Sequence, residues 1–407
     1  MTVTTRRAFL GRSLALGCSL AASPFVTPVT MASAPWDNRL VVIILRGAMD
    51  GLDTVRPVGD AGLAALRGDI AERGPDLDGF FSLNPALSDL MPLWDKGELG
   101  FVHAVSTPYR DKRSHFDGQD ILEAGTGQDG LGRVRDGWLN RMLQTMPGIT
   151  AQTAYAVGRE DMLLLSGEAE VANWSPEAGL ALSPQAQRLL EMVMHDDPLF
   201  RDSIDEAIAL SEMGMLDLED GKTLDAGEMM NTMQKTMRPT RARDRVSSVA
   251  RFAAERLRGD SRIAAFSLNG FDTHAAQDRT LPNALGPLQE AVLTLREELG
   301  EVWGKTAVLA MTEFGRTARI NGSGGTDHGT AGAMLVAGGA VRGGRVWGDW
   351  PGLAEADLYQ QRDLMPTRDV RAYAGWAMRG LIGVETSQVE STIFPGLELG
   401  ADPRLLL

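Results

Sequence analysis

The sequence predicts a doubly wound α/β domain, a mostly parallel sheet with helices on both faces. Three observations predict it. Short apolar runs recur along the chain without polar alternation, amphipathic helical stripes lie between them, and the chemically able side chains gather where the runs end. Continuous apolar strands are strands covered on both faces, as in a parallel sheet flanked by helices.

The first run is Leu40 to Leu45, ended by Gly47. Gly100–Val105, Ile263–Leu268, Thr306–Thr312 and Ala333–Ala337 follow, the third ended by Asn269-Gly270 and the last by Gly338-Gly339. Leu281, Leu285, Leu288, Val292, Leu295 and Leu299 recur at steps of three and four, which gives one apolar helix face. Val246, Val249, Ala253 and Leu257 form a second stripe, and Val370, Tyr373, Ala377 and Leu381 a third. Strands alternating with such helices indicate the doubly wound class. Residues 180–245 are rich in Met, Leu, Asp and Glu and read as a helical insertion into a single domain spanning 35–407.

The N-terminus reads as a leader. Arg6-Arg7 precedes a short uncharged apolar stretch, and Ala32-Ser33-Ala34 offers a small-x-small cleavage site, so residues 1–34 are expected to be a twin-arginine signal peptide. The apolar stretch falls short of the ~20 residues that span a bilayer, so no stable membrane anchor is expected. Cys18 leaves a lipoprotein alternative, against which stands Ala15 three residues earlier, where leucine is usual. The expected location is periplasmic or secreted, with the Tat translocase as partner during export of folded cargo.

Forty basic against 54 acidic residues give a net charge of −14, and the leader's arginines are among the basic ones. Such a surface argues against nucleic acid as a partner. Cys18 is the only cysteine, so a metal would be held by Asp, Glu and His.

The strand ends carry the candidate chemistry, since open α/β sheets bind ligands at their carboxyl edge. Asp50 lies between two glycines after the first strand, where an Asp-Gly turn explains it as well as a metal ligand does. After the second, Ser114 sits where a helix can begin, with Asp117 three residues on and Arg110, Lys112 and Arg113 nearby. That field suits an activated hydroxyl and an anionic substrate, while an ordinary N-cap serine fits the same pattern. His115 follows as a ligand or proton donor. After the third strand, Asp272-Thr273-His274 offers oxygen and nitrogen donors for a divalent ion. After the fourth, Glu313 stands at the strand mouth as a further candidate metal ligand, and Arg316 can either grip an oxyanion or pair with Glu313. Before the fifth, Asp327-His328 in a glycine-rich loop is the strongest single motif, with both residues candidate metal ligands. His103 lies in a strand pattern and His195 in a charged helical one, and both read as structural.

As a set, the Arg-Arg leader, Leu45-Arg46-Gly47-Ala48-Met49-Asp50-Gly51-Leu52, Ser114 to Gln119, Gly270 to His274, Thr312 to Thr317 and Thr326 to Gly329 resemble the exported bacterial proteins of domain-of-unknown-function family 1501. The resemblance implies the fold of the alkaline phosphatase and sulfatase superfamily, with a metal site at the strand ends. It implies Asp50, Asp272, His274 and His328 as ligands and Ser114, or else Thr107, as nucleophile. An Asp-His pair is implied where this chain has Glu313-Phe314, so one histidine is missing. One ion, another kind of ion and an inactive site are all compatible with that loss. The implied activity is metal-dependent hydrolysis (Zn, Mn, Ca or Mg) of a small anionic phosphate or sulfate ester. The alternative is an exported binding or assembly protein that keeps the fold without turnover. A carbohydrate-directed esterase fits less well, because no Gly-x-Ser-x-Gly elbow occurs.

Overall fold

The computed structural model describes residues 34–68, 74–110, 112–130, 132–158, 162–175 and 242–407. The expected leader up to Ser33 and nearly all of the expected 180–245 insertion, with His195, lie outside the described residues.

The described strands are β1 (Arg39–Leu45), β2 (Val55–Arg56), β3 (Ser82–Leu83), β4 (Leu99–Ser106), β5 (Ala154–Val157), β6 (Ala172–Trp174), β7 (Ile263–Leu268), β8 (Thr306–Thr312), β9 (Gly332–Ala337), β10 (Val346–Trp347) and β11 (Arg368–Asp369). The main helices are α1 (His115–Ala124), α2 (Trp138–Gln144), α3 (Ala242–Arg258), α4 (Gln277–Leu299) and α5 (Val370–Ile382). The large sheet runs β10-β4-β9-β8-β1-β7-β5-β6, with β11 also on β4, and β2 and β3 form a separate ribbon.

Strand β1 shows why its run has no polar alternation. Val41, Ile43 and Leu45 pack into the core under α3 and α4, and Leu40, Val42 and Ile44 into the core under α2 and α5. Each such side chain, fully buried, contributes about 1.5–3 kcal/mol, so both faces must be apolar for the strand to hold its central place. The six residues of the α4 stripe are all buried in the first of these cores. Val370, Tyr373, Ala377 and Leu381 of α5 are buried in the second.

The described strands of this sheet run parallel with one exception. Strand β9 is antiparallel to both of its neighbours, β4 and β8. Its continuous apolar run concealed the reversal, because burial on both faces looks the same in either direction. The reversal matters for placement: the carboxyl ends of β1, β4, β7 and β8 share one edge with the start of β9. A loop leading into β9 therefore meets loops leaving the other four.

His103 is buried in β4, where its Nε2 lies 3.0 Å from the Val55 carbonyl and its Nδ1 accepts from the Ala104 amide at 2.8 Å. Burial lowers its pKa to about 4, so it is held neutral in the core.

Candidate metal centre

Helix α1 begins at the carboxyl edge because Ser114 caps it: the Ser114 hydroxyl accepts from the Asp117 amide at 3.4 Å. His115 is thereby the first helical residue. Its Nδ1 lies 2.8 Å from Oε1 of Glu313, which leaves β8 fully buried. Glu313 Oε1 also accepts from the Gly47 amide at 2.9 Å and from Gln119 Nε2 at 3.1 Å, and its Oε2 accepts from Thr312 Oγ1 at 2.9 Å. Burial alone would raise the Glu313 pKa; the hydrogen bonds from His115, Gln119 and Gly47 outweigh it and hold the group ionised. Glu313 raises the His115 pKa in turn.

The other two imidazoles are held the same way. His274 Nδ1 lies 3.2 Å from Asp327 Oδ1, which also accepts from Asn321 Nδ2 at 3.0 Å. His328 Nδ1 lies 2.7 Å from the Arg113 carbonyl, on a residue whose φ of 56° is left-handed. All three Nδ1 partners are acceptors, so a hydrogen on each Nδ1 satisfies them and leaves Nε2 of each ring as the lone-pair donor on the other side.

Those three Nε2 atoms converge on one oxygen. Asp272 Oδ1 lies 3.3 Å from His115 Nε2, 3.0 Å from His274 Nε2 and 3.2 Å from His328 Nε2. His274 Nε2 and His328 Nε2 are 2.9 Å apart. Two lone pairs at that distance repel unless a cation or a proton stands between them. His115 Nε2 is buried without a hydrogen-bond partner, an orphaned atom aimed at the same point. The ligand atoms of His115, Asp272 and His328 all lie within 4.8 Å of one another. Donors sharing a tetrahedral ion at ~2.0–2.1 Å lie roughly 3.3 Å apart, which the donor set approaches. The residues therefore fit a divalent ion.

Asp272 is fixed by Arg316, whose NH1 donates to Oδ1 at 2.6 Å. Burial raises the Asp272 pKa, but Arg316, His115 and His274 outweigh it and hold the group below its ordinary value. The remaining Arg316 donors go to the Thr326 hydroxyl at 3.2 Å and to the Thr326 carbonyl. Arg316 is thus buried and committed to Asp272 and Thr326, not to Glu313 and not to an open anion site. Burial first, then the charges of His115 and Arg316, lower the His328 pKa.

Two glycines let the backbones close in. A Cβ on Gly47, at φ 110°, would stand 2.6 Å from the Asp272 nitrogen, and one on Gly325 would stand 2.3 Å from the His274 carbonyl carbon.

Of the sequence candidates, His115, Asp272, His274 and His328 meet directly; Glu313 and Asp327, expected as ligands, instead hold the Nδ1 atoms of His115 and His274, and Arg316 holds Asp272. Asp50 is engaged elsewhere. Its carboxylate accepts from Arg67 NH1 and NH2 at 2.7 and 3.2 Å, from Gln277 Nε2 at 2.8 Å, from Thr326 Oγ1 at 3.3 Å and from the Asp53 amide at 3.1 Å. Burial raises its pKa, yet Arg67 outweighs that and holds it ionised. Thr107, fully buried, donates to the Glu313 carbonyl at 3.0 Å. Phe314 stacks on His115 at 5.2 Å and lies 5.3 Å from His328, so this position supplies an apolar wall to the imidazoles. Sequence reasoning gave no role to Arg67, Gln277, Thr326, Gln119 and Asn321, which hold the framework together; Gln119 and Thr326 stood at the ends of the Ser114–Gln119 and Thr326–Gly329 motifs, and of the other three only Gln277, at a helix start, carried a local signal.

The family model described as "Protein of unknown function (DUF1501)" matches residues 102–375, from β4 to α5. The chain belongs to the DUF1501 family. No curated protein matches it. Among solved structures, this DUF1501 chain is similar to alkaline phosphatase from the Antarctic bacterium TAB5 (11% identity, 74% of this chain and 91% of that one, TM-score 0.34). It is also similar to the lipoteichoic acid synthase LtaP from Listeria monocytogenes (9% identity, 93% and 78%, TM-score 0.37). A third is the C-terminal periplasmic domain of EcEptC from Escherichia coli in complex with Zn (11% identity, 74% and 73%, TM-score 0.32). The DUF1501 match takes in all seven site residues from His115 to His328 and leaves Asp50 outside.

Proposed function

We propose that this DUF1501 protein is an exported metal-dependent hydrolase of phosphate or sulfate esters, with one ion held by His115, Asp272, His274 and His328. One observation carries the reading: three imidazoles, each anchored through Nδ1 to an acceptor, turn Nε2 toward a single carboxylate oxygen. Three nitrogens and one oxygen favour Zn²⁺ or another borderline ion over Ca²⁺ or Mg²⁺. When bound, such an ion supplies Lewis-acid polarisation of an ester oxygen.

The chain's own residues do the rest. Glu313 and Asp327 set the tautomers of His115 and His274, the outer support that orients metal-binding histidines. Arg316 holds Asp272 in place. Ser114, half-buried at the α1 N-terminus, is better disposed as nucleophile than Thr107, whose hydroxyl is spent on Glu313. Phe314 and the buried Glu313 close the inner side against water.

Arg316 favours a second reading, since its commitment to Asp272 and Thr326 removes one of the two arginines, Arg316 and Arg110, expected to hold the anion. In that reading the protein binds its ion and a ligand without turnover. The test is elemental analysis of protein exported by its own leader, followed by an aryl phosphate and aryl sulfate screen with added Zn²⁺, Mn²⁺ and Ca²⁺. Stoichiometric metal with turnover supports the hydrolase; metal without turnover supports the binding protein; metal-free protein after loading overturns both. The export reading rests on Arg6-Arg7 and the Ala32-Ser33-Ala34 site and is tested by fractionation of cells expressing an Arg6→Lys, Arg7→Lys variant.

A further inference from the structure

Beside the imidazoles lies a cavity of about 680 Å³, within the ~300–1,000 Å³ range of small-molecule sites. We propose that it binds the organic part of the substrate, an apolar, ring-sized group carrying the anionic ester that faces the metal centre. The inference rests on the hydrolase reading and adds to it a substrate class.

The cavity and the centre share walls. Asp327, which holds His274, lines the cavity. Arg362 lines it too, and donates from NH1 to the His328 carbonyl at 3.0 Å. Access also runs this way. Asp272, His274 and Asp327 keep 44%, 44% and 51% of their side chains exposed, whereas Glu313 and Phe314 close the opposite side.

The lining defines the chemistry. Leu66, Ile320 and Leu358 give it an apolar floor, backed by the buried cluster around Leu63 and Leu364. Arg319 and Arg362 bring cationic groups to the lining, beside the carboxylates of Asp327 and Glu355. An inorganic anion would leave most of the volume and the apolar floor unfilled. An aromatic or alkyl ester of an acid fits both parts. The far rim has the mark of a ligand site as well: Gln360 and Gln361 are consecutive left-handed residues, at φ 51° and 56°. Such strain persists where neighbours impose it, and gathers at ligand clamps.

The experiment uses the metal-loaded full chain, with naphthalene-2-sulfonate as a stable probe and 2-naphthyl phosphate as substrate. Ala65→Trp and Ala354→Trp fill the cavity from two exposed lining positions and leave the metal residues untouched. Calorimetric affinity for the probe should fall by at least about tenfold in both variants, because a filled apolar pocket excludes its ring, while metal content stays that of the parent. The KM for 2-naphthyl phosphate should rise in parallel, with kcat kept. No probe binding by the parent, or equal affinity in parent and both variants, overturns the cavity proposal. Variant-sensitive probe binding without turnover instead sinks the hydrolase reading and leaves the cavity site standing.

Discussion

His115 Nδ1 lies 2.8 Å from Glu313 Oε1, and the opposite nitrogen of the same ring lies 3.3 Å from Asp272. One carboxylate sets the ring and the other stands with it as a donor. The site's predicted behaviour follows from that division between residues that touch an ion and residues that aim them.

Glu313→Gln keeps the shape and removes the charge that fixes the His115 tautomer. Metal affinity is expected to fall about 10–100-fold, the usual cost of an outer-shell partner, with full occupancy still reached at saturating ion. Competition against a chromophoric chelator reads the difference. Unchanged affinity would show that His115 needs no anchoring.

His115→Ala, His274→Ala and His328→Ala should each abolish stoichiometric metal after dialysis, measured by elemental analysis. Asp50→Ala should not. Its effect should appear in stability, because it leaves Arg67, only 2% exposed, without its carboxylate. Stranding one half of a buried pair costs about 3–5 kcal/mol, seen in urea unfolding of apo protein. Metal loss with intact stability would instead make Asp50 a ligand.

Phe314→Ala removes the ring stacked on His115 and packed beside His328. A cost of about 3–5 kcal/mol is expected for emptying such a site, together with weaker metal binding as the imidazoles lose their wall. Wild-type stability in equilibrium unfolding would refute the packing role.

His103 gives a pH signature independent of the metal centre. Its pKa is lowered from 6.5 to about 4 in the folded state, chiefly by burial. Both states are neutral above 6.5, so the contribution to stability is complete there. It is lost as pH falls from 6.5 toward 4, where the unfolded chain takes up the proton first, and amounts to about 3 kcal/mol. Subtracting the unfolding profile of His103→Gln from that of the parent isolates this slope; parallel profiles would contradict it.

Much of this architecture was legible in residue order. The run Ile263–Leu268 is β7 as it stands, and Thr306–Thr312 is β8, because a strand buried on both faces writes itself as unbroken apolar sequence. The short strands β5, β6, β10 and β11 left no such trace, being too brief for a period to show. Asp272, His274 and His328 stood out through local chemistry at strand ends. Their geometry could not be read, since Arg113 serves through its carbonyl, which any residue has. Asp50 misled for a related reason: Asp-Gly after a strand looks alike whether the carboxylate faces an ion or a buried Arg67.

The reversal of β9 has a mechanical result. Strands β8 and β9 are adjacent and antiparallel, and their pairing continues beyond the sheet: Gly315 N donates to the Thr330 carbonyl at 2.9 Å, Gly329 N to Gly315 at 2.8 Å and Thr317 N to Asp327 at 2.9 Å. Arg316 and His328 face each other across this extension. The two side chains that steady and share Asp272 are thus rungs of one stiff hairpin arm, with amides at Gly315, Thr317 and Gly329 that should exchange with solvent as slowly as those of the central strands. Such an arm moves as a lever or not at all, so an ion bound at the proposed site should be released on heating only when the hairpin itself unzips.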